Sequence, residues 1–263
     1  MAVAVRVQDL KKVYASRNGD PVHALDRVNL IAQDGEFVSI LGPSGCGKST
    51  LLRIVAGLIP ASGGDIFVQE HRVKGPNPNV GMVFQSAVLL HWRTVMENIL
   101  LPIEIRREKV DQYRERAMDL VRLTGLEGFE NRAPYELSGG MQQRVSICRA
   151  LITNPSLLLL DEPFGALDAF TRDQMNVELL RIWRGESSAS SARENKRPTI
   201  LFITHSITES VFLSDRVAVM SFRPSSIIKT FDIPFARPRD LSVITKPEFG
   251  ELVLEIRSHI TVE

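Results

Sequence analysis

One eight-residue run restricts what this chain can fold into more than any other feature. Gly42-Pro43-Ser44-Gly45-Cys46-Gly47-Lys48-Ser49 fits the spacing G-x-x-x-x-G-K-[ST]. An apolar strand pattern, Phe37 to Leu41, runs into it, and a helical pattern, Lys48 to Leu58, leaves it. A strand feeding a glycine-rich turn and then a helix makes main-chain N–H groups converge, and the helix N-terminus adds its positive dipole end. The glycines let that backbone approach phosphate oxygens with no Cβ in the way. Lys48 has the reach for β- and γ-phosphates, the Ser49 hydroxyl suits Mg²⁺, and Thr50 falls at the α-phosphate. Cys46 holds a position with no chemical demand, and nothing in the sequence lowers its pKa toward reactivity.

The rest of the chain suits such a loop. Residues 3–8 alternate apolar and polar, Leu25 to Ile31 and Val80 to Phe84 read as strands, and Asp34-Gly35 is a turn. Gly57 is placed to end the helix after the loop. Thr94 to Leu123 is charged and helical, with Pro102 expected to break or kink it. Val110, Tyr113, Ala117, Leu120 and Val121 keep helical spacing there. Helix 140–152, strand Leu157 to Leu160, helix 171–184, and strands Ile200 to Thr204 and Arg216 to Met220 around a short helix follow. The polar stretch 185–197 has the composition of a surface loop. The tail from Pro247 reads as a helix offering Phe249, Leu252, Leu254 and Ile256 for packing. This alternation predicts an α/β fold with a largely parallel sheet.

Composition excludes several classes. Lys plus Arg is 32 against 31 Asp plus Glu, a formal charge of +1, without the basic excess of a dedicated nucleic-acid binder. No apolar run approaches the ~18 residues of a membrane-spanning helix. The start, MAVAVRVQDL, has no signal-peptide core. The two cysteines, Cys46 and Cys148, provide neither a disulfide framework nor a zinc site and suit a reducing compartment.

A second group of polar residues follows strand Leu157 to Leu160. Asp161 ends it, placed to present a carboxylate to Mg²⁺, and Glu162 lies one residue beyond, suited to act as general base on the attacking water. Upstream, Leu137-Ser138-Gly139-Gly140-Met141-Gln142-Gln143-Arg144 places a serine and two glycine amides at a helix start, a further anion-binding geometry.

With these motifs in order, the sequence resembles the ATP-binding-cassette (ABC) ATPases, whose signature reads LSGGQ; Met141 replaces the usual glutamine. The resemblance covers residues 3 to 235. It implies an α/β fold: a P-loop NTPase core with a mainly parallel sheet, an antiparallel β portion at the N-terminus and an inserted helical subdomain at about 88–155. It implies one ATPase domain over 1–235 and a helical tail, 236–263, packed on it. It also implies that Tyr14 stacks on adenine beside Val22, that Gln85 senses Mg²⁺ and water, and that His205 contacts the γ-phosphate. In the family, the Ser138 segment covers the nucleotide of the opposite subunit, and Asp168, in Gly165-Ala166-Leu167-Asp168, communicates between subunits.

Residues 89–98, 163–168, 206–215 (SITESVFLSD) and Ala236-Arg237-Pro238-Arg239 further resemble the nitrate, sulfonate and taurine import branch; His91 stands where proline is commoner. What this implies is an ATP- and Mg²⁺-dependent subunit on the cytoplasmic face of the membrane. It would pair with a second copy and with transmembrane permease subunits, and indirectly with a periplasmic or lipid-anchored solute-binding protein, with no nucleic-acid partner. Leu89, Leu90 and Trp92 would either line a groove for a permease helix or belong to the core. A soluble ABC ATPase acting on DNA or ribosomes, and a non-hydrolysing nucleotide sensor, are the competing classes. The first usually brings two cassettes, coiled-coil insertions or basic arms, and the second would lack the Lys48, Asp161, Glu162 and His205 set.

Overall fold

The computed structural model describes residues 2–16, 19–165, 167–184 and 197–260. The N-terminal part holds β1 (Val3–Tyr14), β2 (Val22–Gln33), β3 (Phe37–Leu41), α1 (Lys48–Val55), β4 (Gly63–Val68), β5 (His71–Arg72) and β6 (Val80–Val83). The middle holds α2 (Val95–Ile105), α3 (Arg114–Leu123), α4 (Gly139–Leu151), β7 (Leu157–Asp161) and α5 (Ala169–Arg184). The remainder is β8 (Thr199–Ile203), α6 (Ile207–Leu213), β9 (Arg216–Met220), β10 (Ile227–Asp232) and α7 (Pro247–His259). These elements form two compact units: Met1–Val80 with Thr199–Glu263, and Gly81–Pro198.

The first unit contains two groups of strands. One is antiparallel, in the order β2-β1-β4-β5. Its alternation is visible in β2, where Val28, Leu30 and Ala32 turn inward and Asn29 and Ile31 outward. The other runs β10-β9-β3-β8, with β3 parallel to both β8 and β9 and β10 antiparallel at the edge. All five residues of β3 and of β8 are buried, as strands covered on both faces must be, which explains their unbroken apolar runs. Gly57 ends α1 at φ 73°; a Cβ there would lie 2.0 Å from the Gly75 carbonyl oxygen, so only glycine fits.

In the second unit β6 and β7 are neighbouring strands, and Leu157 to Leu160 is wholly buried. Helices α2, α3 and α4 pack on one another. Thr94 caps α2 with a reciprocal capping box: its hydroxyl takes the Glu97 N–H at 3.2 Å and Glu97 takes the Thr94 N–H at 2.8 Å. The α3 side chain Arg116 donates to the Leu151 and Ile152 carbonyls, both at 3.0 Å, filling acceptors at the end of α4. Cys148 is buried under α3, and burial pushes its thiol up to about 12, so it stays a neutral packing residue.

Several expectations need correction. Of the break or kink expected at Pro102, the break does not occur: α2 continues to Ile105 with the proline inside it, at the loss of the one N–H that would have bonded the Asn98 carbonyl. Leu254 does not pack but is 64% exposed, while Phe249 and Ile256 carry the buried face of α7. Strands β4, β5 and β10 were not apparent in the sequence. The second unit, 81–198, holds β7 and α5 together with helices α2 to α4, and residues 199–263 are part of the first unit. Residues 185–196 of the polar stretch lie outside the described residues.

Candidate functional site

In the first unit, the register of β3 and β8 sets the site. Phe37 through Ile40 pair in parallel with Ile200 through Ile203, so the loop after β3 and the turn carrying His205 leave the same end of the sheet. That end is where open parallel sheets bind ligands. Within the loop, Gly47 adopts φ 120°, and a Cβ on it would come within 2.9 Å of Leu25 Cδ2 and 3.2 Å of the Ala24 oxygen. Gly42 is buried, whereas Ser44 and Gly45 are exposed at the tip.

Lys48 is only 4% exposed, and its Nζ donates to the Gly42 and Pro43 carbonyls, both at 2.9 Å. The cation is thus already within the loop, aimed by main-chain oxygens. Cys46 is buried; its carbonyl accepts from Ser225 Oγ at 2.6 Å, which makes it a packing residue. Ser49 and Thr50 are half-buried at the start of α1.

Tyr14 and Val22 are direct partners across β1 and β2, and both remain about two-fifths exposed (40% and 41%). Core packing therefore does not account for the Tyr14 ring. Its hydroxyl lies 3.3 Å from Thr50 Oγ1, which ties this apolar pair to the first turn of α1. His205 is exposed, and both of its neighbours are anchored. Thr204 Oγ1 bonds the Glu209 carboxyl and accepts the Ser206 N–H at 3.0 Å, and Ser206 Oγ caps α6 by accepting the Glu209 N–H at 3.2 Å.

The second unit brings together the remaining polar residues. Asp161 is buried at the end of β7. Glu162 follows in a left-handed conformation, φ 48°, uncommon for a residue with a side chain and a frequent mark of functional turns. Gln85 Nε2 donates to Glu162 Oε2 at 3.3 Å. Ser138 Oγ caps α4 through the Met141 N–H at 3.3 Å. Gly139 has open space around it, and a Cβ on Gly140 would lie 3.3 Å from Leu167, bringing the signature glycines beside the segment that leads to Asp168. Asp168 caps α5 by accepting the Thr171 N–H at 3.0 Å, and that bond holds its carboxyl below the usual range.

Three further residues of this unit position the Gln85 segment. Gln143 of α4 donates to the Phe84 carbonyl at 3.0 Å. Arg149, also of α4, donates to the carbonyls of Ala87 and Val88 at 2.8 and 2.9 Å. The backbone is therefore held on both sides of Gln85 by one helix. Asn98, fully buried, makes four hydrogen bonds that close the turn Leu90 to Thr94 around His91. Sequence reasoning passed over all three, because a glutamine, an arginine and an asparagine on helices carry no local signal of a distant carbonyl. Of the neighbouring apolar residues, Leu89 is core, Leu90 half-buried, and Trp92 79% exposed.

The donor types expected for Mg²⁺ fit that ion: a hydroxyl (Ser49), an amide (Gln85) and one carboxylate (Asp161) supply hard oxygens. Among the described residues no group of three His, Cys, Asp or Glu could hold a metal by itself.

A family model described as ABC transporter matches residues 25–165, more than half of the chain. An uncharacterized ABC transporter ATP-binding protein of Methanocaldococcus jannaschii is 43% identical over 256 residues, 97% of this chain and 92% of that protein. The taurine import ATP-binding protein TauB of Rhizobium johnstonii is 44% identical over 97% of this chain and 95% of its own length. The aliphatic sulfonates import ATP-binding protein SsuB of Bacillus thuringiensis is 41% identical over 98% of this chain and 97% of its own. Among solved structures, a post-hydrolysis dimer of an ATP-binding cassette bound to ADP and Pi superposes with a TM-score of 0.74 at 29% identity, covering 88% of this chain and all of that one. With its motifs, strand order and relatives in agreement, this chain belongs to the ABC transporter family.

Proposed function

We propose that this ATPase powers the import of small organic sulfonates, the class that includes taurine and the aliphatic sulfonates, as its curated relatives are named to do. Two copies would sandwich two ATP molecules, each between one subunit's phosphate loop and the other's Ser138 segment. The pair would dock on transmembrane permease subunits at the cytoplasmic face and act only indirectly with a solute-binding protein. No helix among the described residues is long and apolar enough to cross a membrane, so the path for solute would come from the permease.

The observation that carries hydrolysis, as opposed to binding alone, is the placement of Glu162. Its carboxylate lies just past the end of β7 and accepts from Gln85. There it can take the proton of the water that attacks the γ-phosphorus in line. The amides of Gly42 to Ser49 and the Lys48 ammonium stabilise the phosphates, Thr50 meets the α-phosphate, and Tyr14 with Val22 supports the base. His205 holds the γ-phosphate end from the turn after β8. Ser49, Gln85 and Asp161 would hold Mg²⁺, which would supply neutralisation of phosphate charge. Asp168 and the amides of Gly139 and Gly140 complete the opposite subunit's share.

The test is purification from membranes with whatever permease accompanies the chain, followed by ATP hydrolysis with taurine, alkanesulfonates and nitrate supplied in turn. Stimulation by a sulfonate, lost in Lys48→Ala, is expected. Steady hydrolysis in the soluble fraction with no membrane partner would refute the transport reading.

A further inference from the structure

Helix α6, which directly follows His205, ends in an unusual way. Its last carbonyls have no partner further along the helix, apart from Ser210, which accepts the Ser214 N–H at 3.1 Å. The other three, and the carbonyl of the capping residue Ser214, are filled from one short segment downstream. Arg239 Nη1 donates to Val211 at 3.1 Å, to Phe212 at 3.0 Å and to the next residue but one, Ser214, at 2.7 Å. Arg237 Nη2 donates to Leu213 at 2.5 Å. Two arginines, separated by Pro238, therefore satisfy every open acceptor at this helix end.

The arrangement is built, not incidental. Arg239 is 6% exposed and, among the described residues, donates to no carboxylate: its remaining bonds go to the Phe235 carbonyl, at 3.0 and 2.8 Å. Burial, with Arg237 nearby, pushes its pKa down to about 10. A buried guanidinium is costly unless its donors are satisfied, and here they are satisfied by main-chain oxygens of α6 and its neighbours. Arg237 Nε meanwhile donates to Asp215 Oδ1 at 2.7 Å, and Asp215 Oδ2 accepts the Phe37 N–H at 2.9 Å. Phe37 opens β3, the strand that delivers the phosphate loop. One segment thus fixes the far end of the helix behind His205 and the near end of the strand behind Lys48.

We propose that Arg237 and Arg239 are positioning residues for ATP hydrolysis, clamping α6 so that the His205 turn keeps its place beside the phosphate loop. This rests on the catalytic reading of His205 given above. The segment is part of the stretch that resembles the sulfonate-import branch, and the clamp gives that stretch a mechanical role.

Arg239→Lys is the sharpest test, since one ammonium cannot span the acceptors that a guanidinium fork reaches. The imidazole resonances of His205, assigned by their loss in His205→Ala, are expected to shift in Arg239→Lys while those of His71 stay put. Turnover should fall about tenfold, with the KM for ATP within about twofold, as a small misplacement of a reacting group costs rate. If Arg239→Lys does not fold, Arg237→Ala, on the more exposed arm, takes the same measurements. A folded variant with unmoved His205 resonances and unchanged turnover overturns the clamp. If His205→Ala itself hydrolyses ATP at the native rate, the reading of His205 fails separately, and the resonance shift alone decides the clamp.

Discussion

The two units hold their polar residues by different means. In the first, the backbone holds the phosphate loop: contiguous glycines, and a lysine bonded to the Gly42 and Pro43 carbonyls of that loop. In the second, side chains do it: Gln85 and Glu162 bond to each other, Gln143 and Arg149 reach across to the carbonyls of Phe84, Ala87 and Val88 that flank Gln85, and Ser138 and Asp168 act as helix caps. A backbone-built loop tolerates almost no change at its glycines. A site built from side-chain bonds can be loosened stepwise and depends on residues far away in sequence. The lesson is that the binding half and the hydrolytic half should fail in different ways when perturbed.

The largest difference should come from pairing Lys48→Ala with Glu162→Gln. The first should abolish ATP affinity and turnover together. The second should keep ATP binding while turnover drops about 10²- to 10⁴-fold, the range of a lost general base; equilibrium nucleotide binding and phosphate release distinguish them. Normal hydrolysis by Glu162→Gln would remove the distinction altogether.

Gly47→Ala probes the backbone-built half. The alanine would carry a Cβ at φ 120° and 2.9 Å from Leu25, so stability should fall by about 1–3 kcal/mol in denaturant unfolding, together with nucleotide affinity. Gln143→Ala probes the other half. It removes one bond to the Phe84 carbonyl, worth about 0.5–1.5 kcal/mol, and should lower turnover severalfold with the KM for ATP nearly unchanged. If Gln143→Ala instead lost affinity as Gly47→Ala does, the two halves would not be separable in this way.

The smallest effect concerns acid. The Thr171 N–H holds the Asp168 carboxyl below its ordinary pKa of 3.8, so its contribution is present above that pH and lost as pH falls through the folded-state value. The gap in melting temperature between the native chain and Asp168→Ala should therefore narrow below about pH 4. A gap independent of pH would show that the cap acts without its charge.

How much of this was legible beforehand follows the same division. The phosphate loop, the acid pair and the Ser138 segment were readable because each is contiguous and its residue types are dictated by local geometry. Strand β3 was placed to the residue, since a strand buried on both faces is an unbroken apolar run. Strands β4, β5 and β10 were not, because their burial is partial and leaves no unbroken apolar run; β4 in addition pairs with the distant β1, whereas β5 and β10 pair with their chain neighbours β4 and β9. The break expected at Pro102 did not occur because α2 is packed on α3 and α4, a tertiary support that outweighs a local propensity and that the sequence does not display.

What the sequence determined by itself is the order and spacing of the residues proposed for the chemistry: the glycine-rich loop with Lys48, the Asp161–Glu162 pair, the Ser138 segment and His205. What the tertiary structure alone decided is which distant side chains hold those groups still. Gln143 on Phe84, Asn98 around His91, and Arg239 with Arg237 on the end of α6 all satisfy main-chain carbonyls many residues away. A carbonyl looks alike at every residue of a sequence. Only the folded chain shows which ones lose their partners and which side chains replace them.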